Sequence, residues 1–453
     1  MPDSASSASV TSDTDAEPEL RRAIGPKLLL FFVVGDILGT GIYALTGKVA
    51  GEVGGAAWMS FGLSFVVAMF TATSYVELVG KYPRAAGAAL YAQRAFGIHF
   101  LTFMVAFAVM CSGLTSAGAA ARTFGGDYLT EFVDVPTLLV VVAFLVVLAL
   151  INFRGVSESV RLNVVLTCVE VSGLLFIIVI GAIAILRGVG EPGRSFEFNS
   201  DGNPFGLVVS GAALAFFALV GFEDSVNMAE ETHNPQRVFP RALFIGISIT
   251  GVIYMLVAFI ATSLVPLDTL SGSDGPLLEV VRVGADWLPL AVFSLIALFA
   301  VTNSALINML MASRLVYGMS RERIVPRALG VVHRTRRTPW AAIVFTSVLA
   351  IGLATWGGVS QLGGTTALLL LCVFTLVNAA VLVLRRDQVE HRHYRAPTVF
   401  PVLGIVCCAY LATPWSGRDP QEYAIAGVLL AIGLVLWLAT WVGRRWSGAT
   451  ARS

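Results

Sequence analysis

From about residue 24 to 443 the chain alternates long apolar runs with short polar connections. With about 20 mainly apolar residues as the length that crosses a bilayer, twelve runs qualify: roughly 26–47, 56–80, 97–121, 136–153, 161–186, 206–230, 241–265, 286–313, 339–357, 364–384, 398–414 and 422–443. Helices are the expected conformation, because backbone groups in lipid must be satisfied within the segment. Two runs are unlike the rest. The first carries Gly35-Asp36-Ile37-Leu38-Gly39-Thr40-Gly41 and the sixth carries Gly221-Phe222-Glu223-Asp224, so glycine stands beside polar or acidic residues at about mid-membrane in both. They open corresponding halves, runs 1–5 and 6–10. Because five is odd, the second half must cross the membrane inverted relative to the first. Paired, interrupted helices in an inverted repeat are the best sequence pointer to a transporter's central site. Glycines that merely let helices approach are the competing reading for the first run.

Charge fixes the orientation. Only 13% of the 453 residues are charged, against about a quarter in a soluble chain, so lipid solvates most of the surface. With the N-terminus placed in the cytoplasm, twenty-four Lys and Arg residues fall on the inside and six on the outside: Lys48, Arg122, Arg187, Arg194, Arg282 and Arg418. That bias predicts a multi-pass plasma-membrane protein with both termini cytoplasmic. The basic stretch at 314–337 (Arg314, Arg321, Arg323, Arg327, Arg334, Arg336, Arg337) is expected to lie against anionic headgroups. His391 and His393 are expected to be solvated in a cytoplasmic loop. Cys111, Cys168, Cys372, Cys407 and Cys408 sit inside apolar runs and read as small hydrophobes, not as a disulfide framework or metal site. Residues 1–23, rich in Ser, Asp, Ala and Glu, are expected to be disordered, and they lack the pattern of a cleaved signal.

Four stretches then carry a resemblance. They are Gly35-Asp36-Ile37-Leu38-Gly39-Thr40-Gly41-Ile42-Tyr43 with Leu45-Thr46-Gly47, and Tyr82-Pro83-Arg84-Ala85-Ala86-Gly87-Ala88-Ala89-Leu90-Tyr91 after run 2. The third is Phe216-Phe217-Ala218-Leu219-Val220-Gly221-Phe222-Glu223 with Ala229-Glu230-Glu231, Asn234-Pro235-Gln236-Arg237 and Pro240-Arg241; the fourth is Ser313-Arg314-Leu315-Val316-Tyr317-Gly318-Met319, closing at Pro326. In this order and on these runs, the chain from about 24 to 445 resembles the amino acid–polyamine–organocation (APC) superfamily of permeases. The resemblance implies an all-α integral membrane fold of twelve transmembrane helices, a five-plus-five inverted repeat with helices 1 and 6 broken. The implied organisation is a cytoplasmic N-terminus at 1–23, a first repeat at 24–187, a second at 206–385, two additional helices at 398–443 and a cytoplasmic C-terminus at 444–453. It also implies that a substrate carboxylate meets Gly39, Thr40 and Gly41, that an amine meets Phe217, Ala218 and Val220, and that Phe217 covers the substrate beside Phe222. The physics agrees independently: freed amides at a helix N-terminus favour an anion and freed carbonyls at a C-terminus favour a cation.

Ionisable groups at membrane depth are costly and default to a functional reading; here they are Asp36, Glu170, Glu223 and Asp224. Similar permeases often carry lysine in helix 5 where Glu170 stands, judged from the neighbouring Ser159, Arg161 and Asn163, and that lysine stands in for a coupling sodium ion. Glu170 therefore has four readings. It carries a coupled proton; it ligates Na⁺ with helix 1 carbonyls near Gly35 and Leu38 and hydroxyls of Thr302 or Ser304; it holds a second cationic group of the substrate; or it faces a buried partner such as an arginine. A charge on Asp36 would oppose a carboxylate nearby unless protonated or paired, which favours an amine-bearing substrate or a neutralising coupling ion. Glu223 matches an acidic position common in the superfamily and is a gate candidate, and Asp224 suits a water-filled vestibule. The expected function is a secondary transporter of amino acids, coupled to H⁺ or Na⁺ or exchanging substrates, with no other cofactor. A polyamine or organocation carrier is the alternative, and a non-transporting sensor a remote one. The expected partners are a small amino acid or amine and membrane lipid, not nucleic acid. The sequence offers no catalytic dyad, metal cluster or nucleotide loop, and broken helices suit an occluding site better than a continuous pore.

Overall fold

A computed structural model of the chain describes residues 24–83, 87–154, 159–200, 202–321, 325–336 and 338–450. Residues 1–23, Arg84-Ala85-Ala86, Arg323, Arg337 and 451–453 lie outside the described residues, as do the side chains of Ser159, Arg161 and Asn163 and those of 442–450. Among the described residues the named elements are all helical. In chain order the principal ones are α1 (Pro26–Ile37), α2 (Thr40–Val53), α3 (Ala57–Lys81), α4 (Gly87–Phe96), α5 (His99–Phe124), α6 (Thr137–Arg154) and α7 (Ser159–Leu186). They continue with α8 (Pro204–Ala215), α9 (Pro235–Leu264), α10 (Leu290–Arg321), α11 (Trp340–Trp356), α12 (Val359–Leu384), α13 (Val399–Leu411) and α14 (Pro420–Thr450).

Among the described residues ten candidate spans are long and apolar enough to cross a membrane, while α11 and α13 are shorter apolar helices. Val, Ile and Phe dominate many of them, residues that favour strands in water; in lipid a helix is what satisfies their backbones. Proline opens α1, α8 and α9 at the first helical position, where its missing N–H costs nothing. The sequence reading placed most runs within a few residues but missed three polar helices, α4, Leu267–Gly272 and Pro276–Gly284, and stopped α10 eight residues short of Arg321. All four discrepancies have one cause: hydropathy detects what lipid surrounds and passes over helical residues that are polar.

The two breaks lie at the centre and differ from the expectation in extent. The first interrupts only Leu38 and Gly39, both in extended backbone; Gly35 and Asp36 belong to α1, and Thr40 and Gly41 open α2. Gly35 is a packing glycine, since a side chain there would collide with Thr167 of α7. The second break starts earlier than expected. α8 ends at Ala215, a 3-10 turn follows at Phe216–Leu219, Val220 is extended, and a further 3-10 turn begins at Asp224. Gly221 has φ +124° and lies against the backbone of Asp36, whose carbonyl oxygen would be 2.5 Å from any Cβ placed there. Positive φ and close approach together admit only glycine without strain. Gly41 similarly lies against Ala218, with the two backbones crossing where a Cβ would fall 2.7 Å from that of Ala218.

Around this centre the burial is graded. Phe216, Leu219 and Phe222 are fully buried, whereas α6 exposes Leu138, Leu139, Val147 and Leu150, as a lipid-facing helix should. Two charge clusters brace the bundle at its ends. Below, Arg385 pairs with the buried Glu77 at 2.8 Å; Glu77 also accepts the Ala396 amide, and Lys81 donates to the carbonyls of Leu384 and Asp387. The hydrogen bond to Glu77 holds the Arg385 guanidinium above its ordinary pKa. His391 is exposed, its Nε2 3.0 Å from the Gly80 carbonyl oxygen. At the other end the buried Arg418 pairs with Glu422 at 2.7 Å and donates to the carbonyls of Leu411, Gly364 and Ala213, so it ties α13 and α14 to α12 and α8.

Candidate functional site

A helix that stops in the membrane leaves its last carbonyls and its first amides without intrahelical partners. Tyr254 of α9 deals with part of this at the first break: its hydroxyl donates to the Ile37 carbonyl at 2.7 Å. No side chain caps the N-terminus of α2. Thr40 is 1% exposed, and its Oγ1 has no hydrogen-bond partner. The positive end of α2 is therefore left open, with amides and one hydroxyl free to meet an anion.

These groups face a central cavity. Its floor and walls come from both breaks, through Asp36, Gly39, Thr40, Gly41, Phe217, Val220, Glu223 and Asp224. Helices α5, α10 and α12 complete it with Ser112, Ser116, Ser304, Asn308 and Thr366. Ser304 lies beside Gly39, whose missing Cβ would be 3.1 Å from Oγ. The Gly221 amide donates to Glu223 Oε2 at 2.9 Å, which fixes that carboxylate across the second break. Asp36 Oδ2 is buried with no partner. Among the described residues no Lys, Arg or His lines this cavity.

A second cavity, about 370 Å³, shares Val109, Glu223, Asp224 and Leu315 with the first and extends past Tyr75, Gly87, Ala88 and Asn227. On the opposite side, a third cavity is lined by Lys48, Arg122, Asp274 and Gln361 and shares no lining residue with the central one. The ring of Phe217 and Leu45 of α2 both press on Gly363 of α12.

Of the residues singled out from sequence, Gly39, Thr40, Gly41, Phe217, Val220, Asp36, Glu223 and Ser304 line the central cavity. Four do not. Ala218 packs on Gly41. Phe222 is turned away into an aromatic cluster, its ring 5.3 Å from Phe374 and 5.8 Å from Tyr75. Thr302 donates back to the Leu298 carbonyl at 2.6 Å. Glu170 is 1% exposed, and neither carboxylate oxygen has a hydrogen-bond partner, which removes the reading that placed it opposite a buried arginine. It stands near Tyr43, whose hydroxyl donates weakly to its main-chain carbonyl at 3.5 Å. Among the described residues no group of three or more His, Cys, Asp or Glu could hold a metal ion. Ser112, Ser116, Asn308, Thr366 and Tyr254 were not found from sequence, since a lone polar residue on an apolar helix carries no local mark of the face it occupies.

A profile of the family described as amino acid permease matches residues 24–441. The chain is 27% identical to the branched-chain amino acid permease BcaP of Bacillus subtilis, with 94% of each chain covered. It is 26% identical to the methylthioribose transporter of the same organism, covering 93% of this chain and 92% of that one. It is 30% identical to the vacuolar cationic amino acid transporter 4 of Arabidopsis thaliana, over 82% of this chain and 64% of the relative.

Proposed function

Because the chain belongs to the amino acid permease family, we propose that it is a secondary transporter of amino acids that works by alternating access across the plasma membrane. The observation that carries this is the central cavity, where the uncapped amides of α2 and the unwound backbone of 216–223 face the same space. One end of that space suits a carboxylate and the other an amine. A channel would need a continuous path, whereas the central cavity shares no described lining residue with the one bounded by Lys48 and Arg122.

The finer architecture belongs to the same reading. We take α11 and α13 as the ninth and eleventh of twelve spans, with α1 to α7 and α8 to α12 as the two inverted repeats and both termini cytoplasmic. The distribution of Lys and Arg supports that orientation. In it, the shared lining at Glu223 and Asp224 leads from the central cavity toward the cytoplasm, which supports an inward-leaning state. Glu170 is the coupling group in this account. An unpaired carboxyl at membrane depth is stable only when protonated or when a cation joins it, and its place beside α1 and Tyr43 lets occupancy there act on the first break.

The test is uptake by the purified chain in liposomes under imposed H⁺ or Na⁺ gradients, alongside single-channel recording. Saturable accumulation of a labelled amino acid without unitary currents is expected. Unitary currents, or no gradient-dependent accumulation of any amino acid, would contradict the proposal.

A further inference from the structure

The ionisable groups that line the central cavity among the described residues are all acidic. Asp36, Glu223 and Asp224 all face it, and among the described residues neither it nor the second cavity has a Lys, Arg or His in its lining. Among the described residues Glu223 alone of the three accepts a backbone amide, that of Gly221. Asp36 lies in the last turn of α1 and Asp224 at the second break, and the two are brought close because Gly221 packs directly on the Asp36 backbone and its carbonyl accepts the Asp224 amide at 3.0 Å. A neutral amino acid brings no net charge to this wall, and in a space shielded from water like charges repel strongly.

The start of α2 has a different demand. Thr40 is buried, its hydroxyl has no partner, and it lines the same cavity at the uncapped start of α2. Those donors suit a carboxylate, which a diamine lacks. Building on the transport reading, we infer that the substrate is a dibasic amino acid, its carboxylate on Thr40 and the α2 amides and its distal cationic group between Asp36 and Asp224. Asp224 lines both cavities, so an extended basic side chain can reach it from the central cavity and still point toward the second. The two aspartates are then specificity residues, and the site selects by charge at one end and by hydrogen-bond donors at the other.

The test uses the full chain in liposomes with labelled lysine, competed by unlabelled arginine, leucine and cadaverine, which is lysine without its carboxylate. Arginine should compete at a concentration about tenfold or more below that of leucine or cadaverine, the factor expected for a hydrogen bond to a charged group. Asp36→Asn and Asp224→Asn should each raise the half-saturating lysine concentration by about tenfold or more, and raise that of leucine much less. Asp224→Glu, which keeps the charge, should restore most of the preference, and a monodisperse elution profile for each variant excludes misfolding. Leucine competing as well as arginine, or Asn variants that weaken lysine and leucine equally, would overturn the inference and leave the transport reading standing. Cadaverine competing better than arginine would overturn the carboxylate assignment. If no amino acid enters at all, the transport reading itself falls.

Discussion

Single residues decide the chemistry here because a membrane leaves few groups unpaired. Glu170 is buried and has neither a cation nor a hydrogen-bond donor. If it carries the coupled ion, Glu170→Gln should bind substrate nearly as well as the parent yet lose most concentrative uptake, with little pH dependence between about pH 5 and 8. Uptake equal to the parent across that range would remove Glu170 from the coupling path. Tyr254 makes a different kind of contribution, supplying a hydrogen bond to the last carbonyl before the first break. Tyr254→Phe leaves the buried Ile37 carbonyl without that partner and should cost about 1–3 kcal/mol, read as a lower unfolding temperature in detergent. The acids were legible in the sequence because charge at membrane depth is conspicuous. Tyr254, Ser112 and Asn308 were not, and Thr302 with Ser304 shows why. These two hydroxyls stand two positions apart on one helix, yet Thr302 bonds its own backbone while Ser304 meets Gly39. Sequence gives no means of choosing, since either role satisfies a hydroxyl in an apolar helix.

At the scale of elements, the breaks were visible as glycine next to acid, but their limits were set by tertiary contacts. Gly35 packs on Thr167 and stays helical, while the turn at Phe216–Leu219 begins the second break before any glycine is reached. Gly221 is the position where backbone conformation and contact coincide. Gly221→Ala should destabilise the protein by about 1–3 kcal/mol and reduce uptake in the same preparation; full stability would show that the second break tolerates rearrangement. The link between α3 and the segment after α12 depends on Glu77 and Arg385. Arg385→Met strands Glu77 in an apolar setting and should cost about 3–5 kcal/mol. Adding Glu77→Leu should recover much of that loss, because it removes the stranded charge; no recovery would mean that the contacts of Arg385 with Thr398 and the Ala396 carbonyl matter more.

For the whole molecule, the succession of apolar runs was legible because each run must solve the same problem of burying its backbone. The arrangement of those runs around a cavity was not, since α6 and α12 are both strongly apolar, yet one faces lipid and the other lines the centre. The central claim is that one cavity receives an amino acid by its carboxylate at the start of α2, with its amine toward the acids and the second break. Calorimetric binding of matched pairs tests this most directly, each amino acid against the amine left when its carboxylate is removed: lysine with cadaverine, leucine with isopentylamine. The account predicts that at least one amino acid binds about tenfold or more tightly than its partner amine, since hydrogen bonds to a charged group contribute about 1.5–3 kcal/mol. Amines that bind as tightly as their parent amino acids would contradict it, because the open amides of α2 and the Thr40 hydroxyl would then contribute nothing to recognition.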